Sequence, residues 1–285
     1  MEEDKPFDRA LRRLRRDRAA RIGGDADYLH RVAAEEIIER LSIVKRDFAD
    51  ALVLGAIDGG LAEALLARGT RAVVADPSRL LARSNGGVQC DEDRLPFADH
   101  SLDLVVSVGM FDGVNDLPGA LTLIRRALRP DGLLLAAFIG AGSLPRLRRA
   151  MAAADAVAGG ASPRVHPQID LRAAGDLLTR AGFKLQVADS RDVTVRFSSF
   201  LGLVRDLRAM GATNVLSARS KAPISRAPLA AAIAAFEADA DADGKTAEHF
   251  EIVYLTGWSP SADQPQPARR GSATASLAEA LRPKS

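Results

Sequence analysis

The segment ALVLGAIDGGLAEALLARGTRAVVAD, residues 51 to 76, decides the fold. Leu52 to Leu54 form a short apolar run of strand type, Gly55 to Gly60 break it, and Leu61 to Ala67 resume with helical spacing. Gly69 closes that helix, and Ala72 to Ala75 rise again as an apolar strand that ends on Asp76. A strand, a glycine turn, a helix and a second strand make half of a parallel α/β unit. The turn lets backbone approach a bound group, and the helix start presents unpaired N–H groups. A carboxylate about 20 residues after the first glycine accepts hydrogen bonds from ribose hydroxyls. Gly55 and Asp76 have that spacing, which predicts a nucleotide-type cofactor site. The competing reading makes Asp76, followed by Pro77 and Ser78, a turn or cap residue.

Working outward, 285 residues with 47% hydrophobic content suffice for one enlarged domain with a sizeable core. Lys plus Arg number 39 against 37 for Asp plus Glu, so the chain as a whole carries no nucleic-acid footprint. The charge is uneven: RALRRLRRDRAAR, residues 9 to 21, is a dense arginine run on a helix. It reads as a solvated face, with an acidic partner, anionic lipid or RNA as alternatives. No apolar stretch reaches the roughly 18 residues needed to span a bilayer, which predicts a soluble, cytoplasmic protein with at most peripheral contact at the inner face of a membrane. Glu2, Glu3, Asp4, Asp8 and Asp17 argue against a transit peptide. Cys90 is alone, so neither a disulfide nor a thiolate zinc site is expected. His30, His100, His166 and His249 are scattered and form no histidine-x-carboxylate pair; no metal site is expected, and each reads as a surface or hydrogen-bonded residue.

The rest of the chain supports an α/β fold with a mostly parallel sheet. Residues 1 to 45 form an N-terminal helical region, in which Asp25 to Leu41 has helical spacing and covers the pocket. Strands and helices then alternate to about Gly140. Helices are expected over Leu144 to Ala158 and Leu171 to Arg180, and strands over Lys184 to Ala188 and Val193 to Phe197. Two more helices, Ser198 to Met210 and Pro228 to Ala238, form an insertion over about 198 to 245, before a last strand at Phe250 to Gly257. The main domain is thus 46 to 258, and the proline-, alanine- and serine-rich residues 259 to 285 read as a flexible tail.

A second block, Val88 to Asp91, then Asp93, Leu95, Pro96 and Phe97, then the strand Leu102 to Val106, follows the order found in class I methyltransferases, and LRPDG at 128 to 132 matches the turn before their fifth strand. From about residue 50 to 140 the chain resembles an S-adenosylmethionine (SAM)-dependent methyltransferase domain of Rossmann-like fold. The resemblance implies that Asp76 binds the ribose and Asp91 lies beside the adenine, with further cofactor contacts at Gly55, Ala56, Gly59, Pro77, Glu92 and Ser107. More specifically, VNDLPGAL (114 to 121), ALRPDG (127 to 132), DLRAMGATNVL (206 to 216), the final GW (257 to 258) and ARRGSATASLAEAL (268 to 281) are similar to the mitochondrial complex I assembly factor five family and its bacterial relatives. That similarity covers nearly the whole chain. It implies a methyltransferase-like protein that acts on an arginine of a complex I subunit, by hydroxylation rather than methylation.

The chain departs from the pattern at defined places. Val53 stands where an acid usually holds the methionine ammonium, and Ile57 where a glycine lets the backbone approach the ligand. Asp58 is a candidate to compensate. Asp112 and Gly113 replace a histidine and a tryptophan carried by relatives. Asp112 and Asp116, after the fourth strand, are the candidate catalytic residues because a carboxylate binds a guanidinium in bidentate fashion; Asp116 also reads as a helix cap. Three functions follow: modification of a protein arginine during complex I assembly, a non-catalytic assembly factor with a decayed pocket, or a small-molecule or carrier-protein methyltransferase.

Overall fold

A computed structural model describes residues 5 to 265 except 56 and 58. Asp58, Ala56, Glu2, Glu3, Asp4 and the ARRGSATASLAEAL segment therefore lie outside the described residues. Seven strands form one sheet in the order β3-β2-β1-β4-β5-β7-β6. They are β1 (Asp50–Leu54), β2 (Arg71–Asp76), β3 (Val88–Gln89), β4 (Leu102–Val108), β5 (Leu128–Ile139), β6 (Lys184–Phe197) and β7 (Thr246–Trp258). The first five run parallel and β7 runs antiparallel to both neighbours. The strand order reverses between β1 and β4, and a parallel sheet opens its binding cleft outside the strand carboxyl ends at such a reversal.

Alternation along β1 shows why the sheet needs cover on both faces. Leu52 and Leu54 pack in a core with Leu121, Ile124, Leu178 and Phe183, on the side of α5 (Leu117–Ala127) and α7 (Leu171–Arg180). Ala51 and Val53 pack on the other side with Ile37, Leu41, Leu61 and Leu65, from α2 (Tyr28–Ile43) and α3 (Gly60–Ala67). Buried on both faces, β4 is apolar at five of its seven positions, Leu102, Leu104, Val105, Val106 and Val108; Asp103 near its start pairs with Arg129, and Ser107 near its end is small and buried. α1 (Arg9–Ile22) and α4 (Arg79–Ser84) complete the amino-terminal half, with Asp8 and Ser78 accepting hydrogen bonds from first-turn N–H groups as N-caps.

The strands expected at 184 to 188 and 193 to 197 are one continuous β6, because β7 is long enough to pair with it from Thr246 to Trp258. A register irregularity between Lys184 and Val187 interrupts that pairing near the start of β6. Between β6 and β7 stand α8 (Phe200–Ala209) and α9 (Arg226–Glu237). Together with α6 (Pro145–Ala158) they bury Phe200, Leu203, Phe236 and Phe250 in a core of their own beyond the strand ends. The first residues of the expected tail are tied down: Ser259 donates to the Gly132 carbonyl at 2.8 Å, and the Gln264 amide donates to Asp131 at 3.0 Å. Polar side chains that reach back to the turn before β5 account for that order.

α6 begins without a side-chain cap of its own. Buried Glu248 on β7 supplies one, accepting hydrogen bonds from the backbone N–H groups of Arg146 at 3.1 Å and Leu147 at 2.8 Å. Glu248→Ala leaves these donors buried without an acceptor and should lower stability by about 2 kcal/mol, with Glu248→Gln recovering part of the loss. Urea unfolding of the three proteins checks this, and equal midpoints would show that the carboxylate does not hold the helix.

Candidate functional site: an acid cluster held by an arginine helix, beside an apolar cavity

The β1 turn, the end of β2 and the segment after β3 meet where the sequence places a cofactor. Gly55, at φ +89°, leaves the sheet by donating its N–H to the Ala75 carbonyl at 3.0 Å. A Cβ there would lie 2.5 Å from the Val108 carbonyl oxygen, so only glycine fits. Gly59, at φ +67°, starts α3 with no side chain to cap it. Asp76 is fully buried, and Asp91 and Glu92 are nearly so. Ionised carboxylates in that position need partners.

The partners come from α1. Arg16 donates Nε and Nη2 to the two oxygens of Asp76 at 2.9 and 2.6 Å, and Ser78 donates its backbone N–H to Oδ1. Arg12 donates Nη1 and Nη2 to the two oxygens of Glu92 at 2.7 Å each, and Nη2 also to the Met110 carbonyl. Arg13 reaches Asp91 at 2.5 Å, and Arg9 pairs with Asp93. Burial alone would lower the Arg12 pKa, but the charge and hydrogen bonds of Glu92 overcome it and hold the guanidinium well above its ordinary value. Burial, then the charges of Glu92, Asp91 and Asp76, push the neighbouring Cys90 thiol up to about 12. Breaking such a pair from one side costs about 3–5 kcal/mol, since a buried charge is left alone.

The arginine run is therefore not a solvated face. Arginines at 9, 12 and 16 occupy the stripe that would be apolar in a core-facing helix, while Leu14 points outward and is 64% exposed. That inverted pattern was the signal available in the sequence. Gly113 makes room for it, because a Cβ there would lie 3.1 Å from Arg12 Nε.

Beside the acids, at the carboxyl ends of β4 and β5, lies a cavity of about 240 Å³. Its walls are mainly apolar and include Phe138, Leu147, Leu207 and Phe250, while Asp112, His30 and His166 supply polar groups. Asp112 makes no hydrogen bond or ion pair among the described residues. His30 packs against Gly109, and its Nδ1 is buried without a hydrogen-bond partner among the described residues. Burial, reinforced by the charge of Arg16, pushes its imidazole down to about 4, so it is neutral. The His166 pKa is also lowered by burial, and its Nε2 accepts from the Val215 N–H at 2.9 Å, which places any proton on Nδ1. Two of the four histidines thus meet in one cavity, which no linear spacing revealed. Among the described residues no cluster suits a metal ion.

The remaining candidates fall into place as follows. Asp116 is exposed, caps α5 by accepting from Gly119 N–H at 2.8 Å, and does not line the cavity. Ser107 is fully buried with its Oγ unpartnered among the described residues. Pro77 is buried and its carbonyl accepts from the Gln89 side chain. Val53 lies in the core against α2 and α3, and Ile57 lines a separate, larger cleft of about 760 Å³ with Gly59, Leu81 and Asn85.

A family profile described as a methyltransferase domain matches residues 52–136. Over 96% of its length this chain is 34% identical to the mitochondrial arginine-hydroxylase NDUFAF5 of Danio rerio, covering 88% of that protein. The human protein of the same name is also 34% identical, with 82% of it covered. The chain belongs to the arginine-hydroxylase NDUFAF5 family. Malonyl-[acyl-carrier protein] O-methyltransferase of Laribacter hongkongensis is 32% identical over 86% of this chain and 88% of its own. The YcgJ protein of Bacillus subtilis superposes with a TM-score of 0.56 at 13% identity over 81% of this chain and all of its own, a likeness of fold alone.

The unfolded His30 titrates near 6.5 and the folded one near 4, so the folded state binds fewer protons in between. Stability from this residue is full above 6.5 and falls as pH drops toward 4, by roughly 3 kcal/mol in the limit. His30→Gln should flatten that part of the acid slope in denaturation curves recorded from neutral pH down to about pH 5. Parallel slopes would mean that the imidazole is charged in the folded protein.

Proposed function

We propose that the chain modifies an arginine side chain of a respiratory complex I subunit, with SAM as its cofactor. The observation that carries this reading is Asp112: a carboxylate with no hydrogen bond or ion pair among the described residues, close enough to Arg12 and His166 to act on their charges, in the wall of a mainly apolar cavity beside the place where the fold would seat its cofactor. An arginine presents a long apolar stem and a planar cationic head, and the cavity offers matching surfaces. The mitochondrial NDUFAF5 proteins, named as arginine hydroxylases, support the residue type.

When bound, SAM supplies an electrophilic methyl group on a sulfonium. Asp76 would meet the ribose, Asp91 and Glu92 the adenine side, and the Gly55 to Gly59 turn the backbone-facing edge. The chain's own residues do the rest. Asp112 orients the guanidinium, the walls from Phe138, Leu147 and Phe250 exclude water, and neutral His30 adds an unpartnered ring nitrogen to the polar part of the wall. Helix α8, through Val204, Leu207 and Met210, serves as the lid in this proposal. No helix among the described residues is long and apolar enough to cross a membrane. We place the protein in the cytoplasm, at or near the inner membrane face where complex I is assembled.

A second reading, an assembly factor without catalysis, rests on Val53 and on the arginines that hold the cofactor acids. Co-expression with complex I subunits separates the two. The expected result is a mass gain on an arginine, of one methyl from SAM or, with dioxygen and an electron donor as co-reactants, of one oxygen, reduced about ten- to a hundredfold by Asp112→Asn at unchanged melting temperature. No mass gain on any subunit arginine favours the assembly factor, and a gain on an acyl-carrier thioester substrate instead favours the carrier-protein reaction.

A further inference from the structure

Every acid that the fold would turn toward the adenosine half of a cofactor is already occupied by one helix of the same chain. Both oxygens of Asp76 accept from Arg16, both oxygens of Glu92 accept from Arg12, and Asp91 accepts from Arg13. Ribose hydroxyls recognise a carboxylate through the same two oxygens that Arg16 uses, and Oδ1 already carries a second bond from the Ser78 N–H, so Arg16 competes with a ribose for the acceptor sites left at Asp76. Asp17 fastens the helix further by accepting from the Ser78 hydroxyl at 2.5 Å and from the Leu80 N–H at 3.1 Å, at the start of α4.

The ends of α1 differ in a way that suits a moving part. Its carboxyl end runs into Gly23 and Gly24, at φ +56° and +89°, with nothing within 4 Å of a Cβ built at either. Two successive unencumbered glycines give the backbone room to turn without breaking a packed contact. The amino end is anchored: Phe7 exchanges hydrogen bonds with the Asn115 side chain at 2.9 and 3.0 Å, and Asp8 donates its N–H to the Val215 carbonyl. Between hinge and anchor, few apolar side chains hold the helix; the buried residues of α1 are Arg12, Arg16 and Ala19. Its inner face is held by ion pairs, which can be exchanged for other partners of the same acids, rather than by a hydrophobic stripe.

We propose that α1 is an internal occupant of the cofactor seat, and that Arg12 and Arg16 must leave Glu92 and Asp76, by movement about Gly23 and Gly24, before an adenosyl group binds. The proposal rests on the SAM part of the functional reading and adds a gate to it. Binding is then weakened by the fraction of molecules in which the helix is docked. The arginine-lined edge of the cavity opens in the same motion, since Arg12 and Arg16 also line it.

The test uses the full chain and S-adenosylhomocysteine as probe. In the wild-type protein, ligand should speed amide hydrogen exchange across residues 9 to 22 and expose Arg12, Arg13, Arg15 and Arg16 to trypsin. Arg16→Gln should tighten binding by roughly tenfold or more, whereas Arg18→Gln, the same charge change on the exposed face, should leave it unaltered. The wild-type measurements decide the matter even if Arg16→Gln folds poorly with Asp76 unpaired. Ligand binding that slows exchange in α1, with weaker binding by Arg16→Gln, would make the arginines part of the site and overturn the gate while sparing the cofactor. No binding by any of the three proteins at millimolar ligand would remove the cofactor from the reading and the gate with it.

Discussion

The amino-terminal half of the molecule depends on the neutralisation of buried carboxylates at the ends of β2 and β3. Asp76, Asp91 and Glu92 lie where water cannot solvate them, and nothing in the sheet itself carries compensating charge. Four arginines of α1 supply it, two of them through paired hydrogen bonds of good geometry. The consequence reaches beyond the pairs. It fixes where α1 crosses the strand ends, which face of it is buried, and why Gly113 is small beneath Arg12.

Such pairs add little net stability over an apolar contact of equal size, because both charges lose their water. Their value here is specificity. An apolar helix face would seal the cleft for good, whereas guanidinium groups hold acids that other hydrogen-bonding ligands also recognise. The remaining core has no such ambivalence. β1, β4 and β5 are apolar on both faces and lock against α2, α3, α5 and α7, so the scaffold stays fixed while polar groups cluster at its carboxyl edge.

The cavity shows the same division. Its walls come from strand ends, from α2, α6 and α8 and from the stretch after α8, and of these Leu29, Leu147, Leu207, Met210 and Phe250 belong to the separate core around Phe200 and Phe236. Its polar groups include Asp112, His30 and His166 and the guanidinium groups of Arg12, Arg16 and Arg164, which are paired with Glu92, Asp76 and Asp155. Burial keeps both imidazoles neutral, and the three arginines are each paired with another acid, which leaves Asp112 as the cavity carboxylate without a hydrogen-bonded partner among the described residues.

From the sequence alone came the elements and their class. The 51 to 76 segment, with its strand, glycine turn, helix and terminal acid, gives the parallel unit because periodicity and glycine placement are local properties. Asp76 was a candidate from its spacing to Gly55, and Asp91 and Glu92 were candidates from the resemblance to class I methyltransferases. Their occupation by Arg16, Arg13 and Arg12 was not, since it joins residues 60 to 80 positions apart through a packing of α1 that local spacing does not specify. The same holds for His30 and His166, which meet only because α2 and the segment before α7 converge over the ends of β4 and β5. Long-range charge pairing and cavity closure are set by which surfaces meet in three dimensions, and that only the tertiary structure decided.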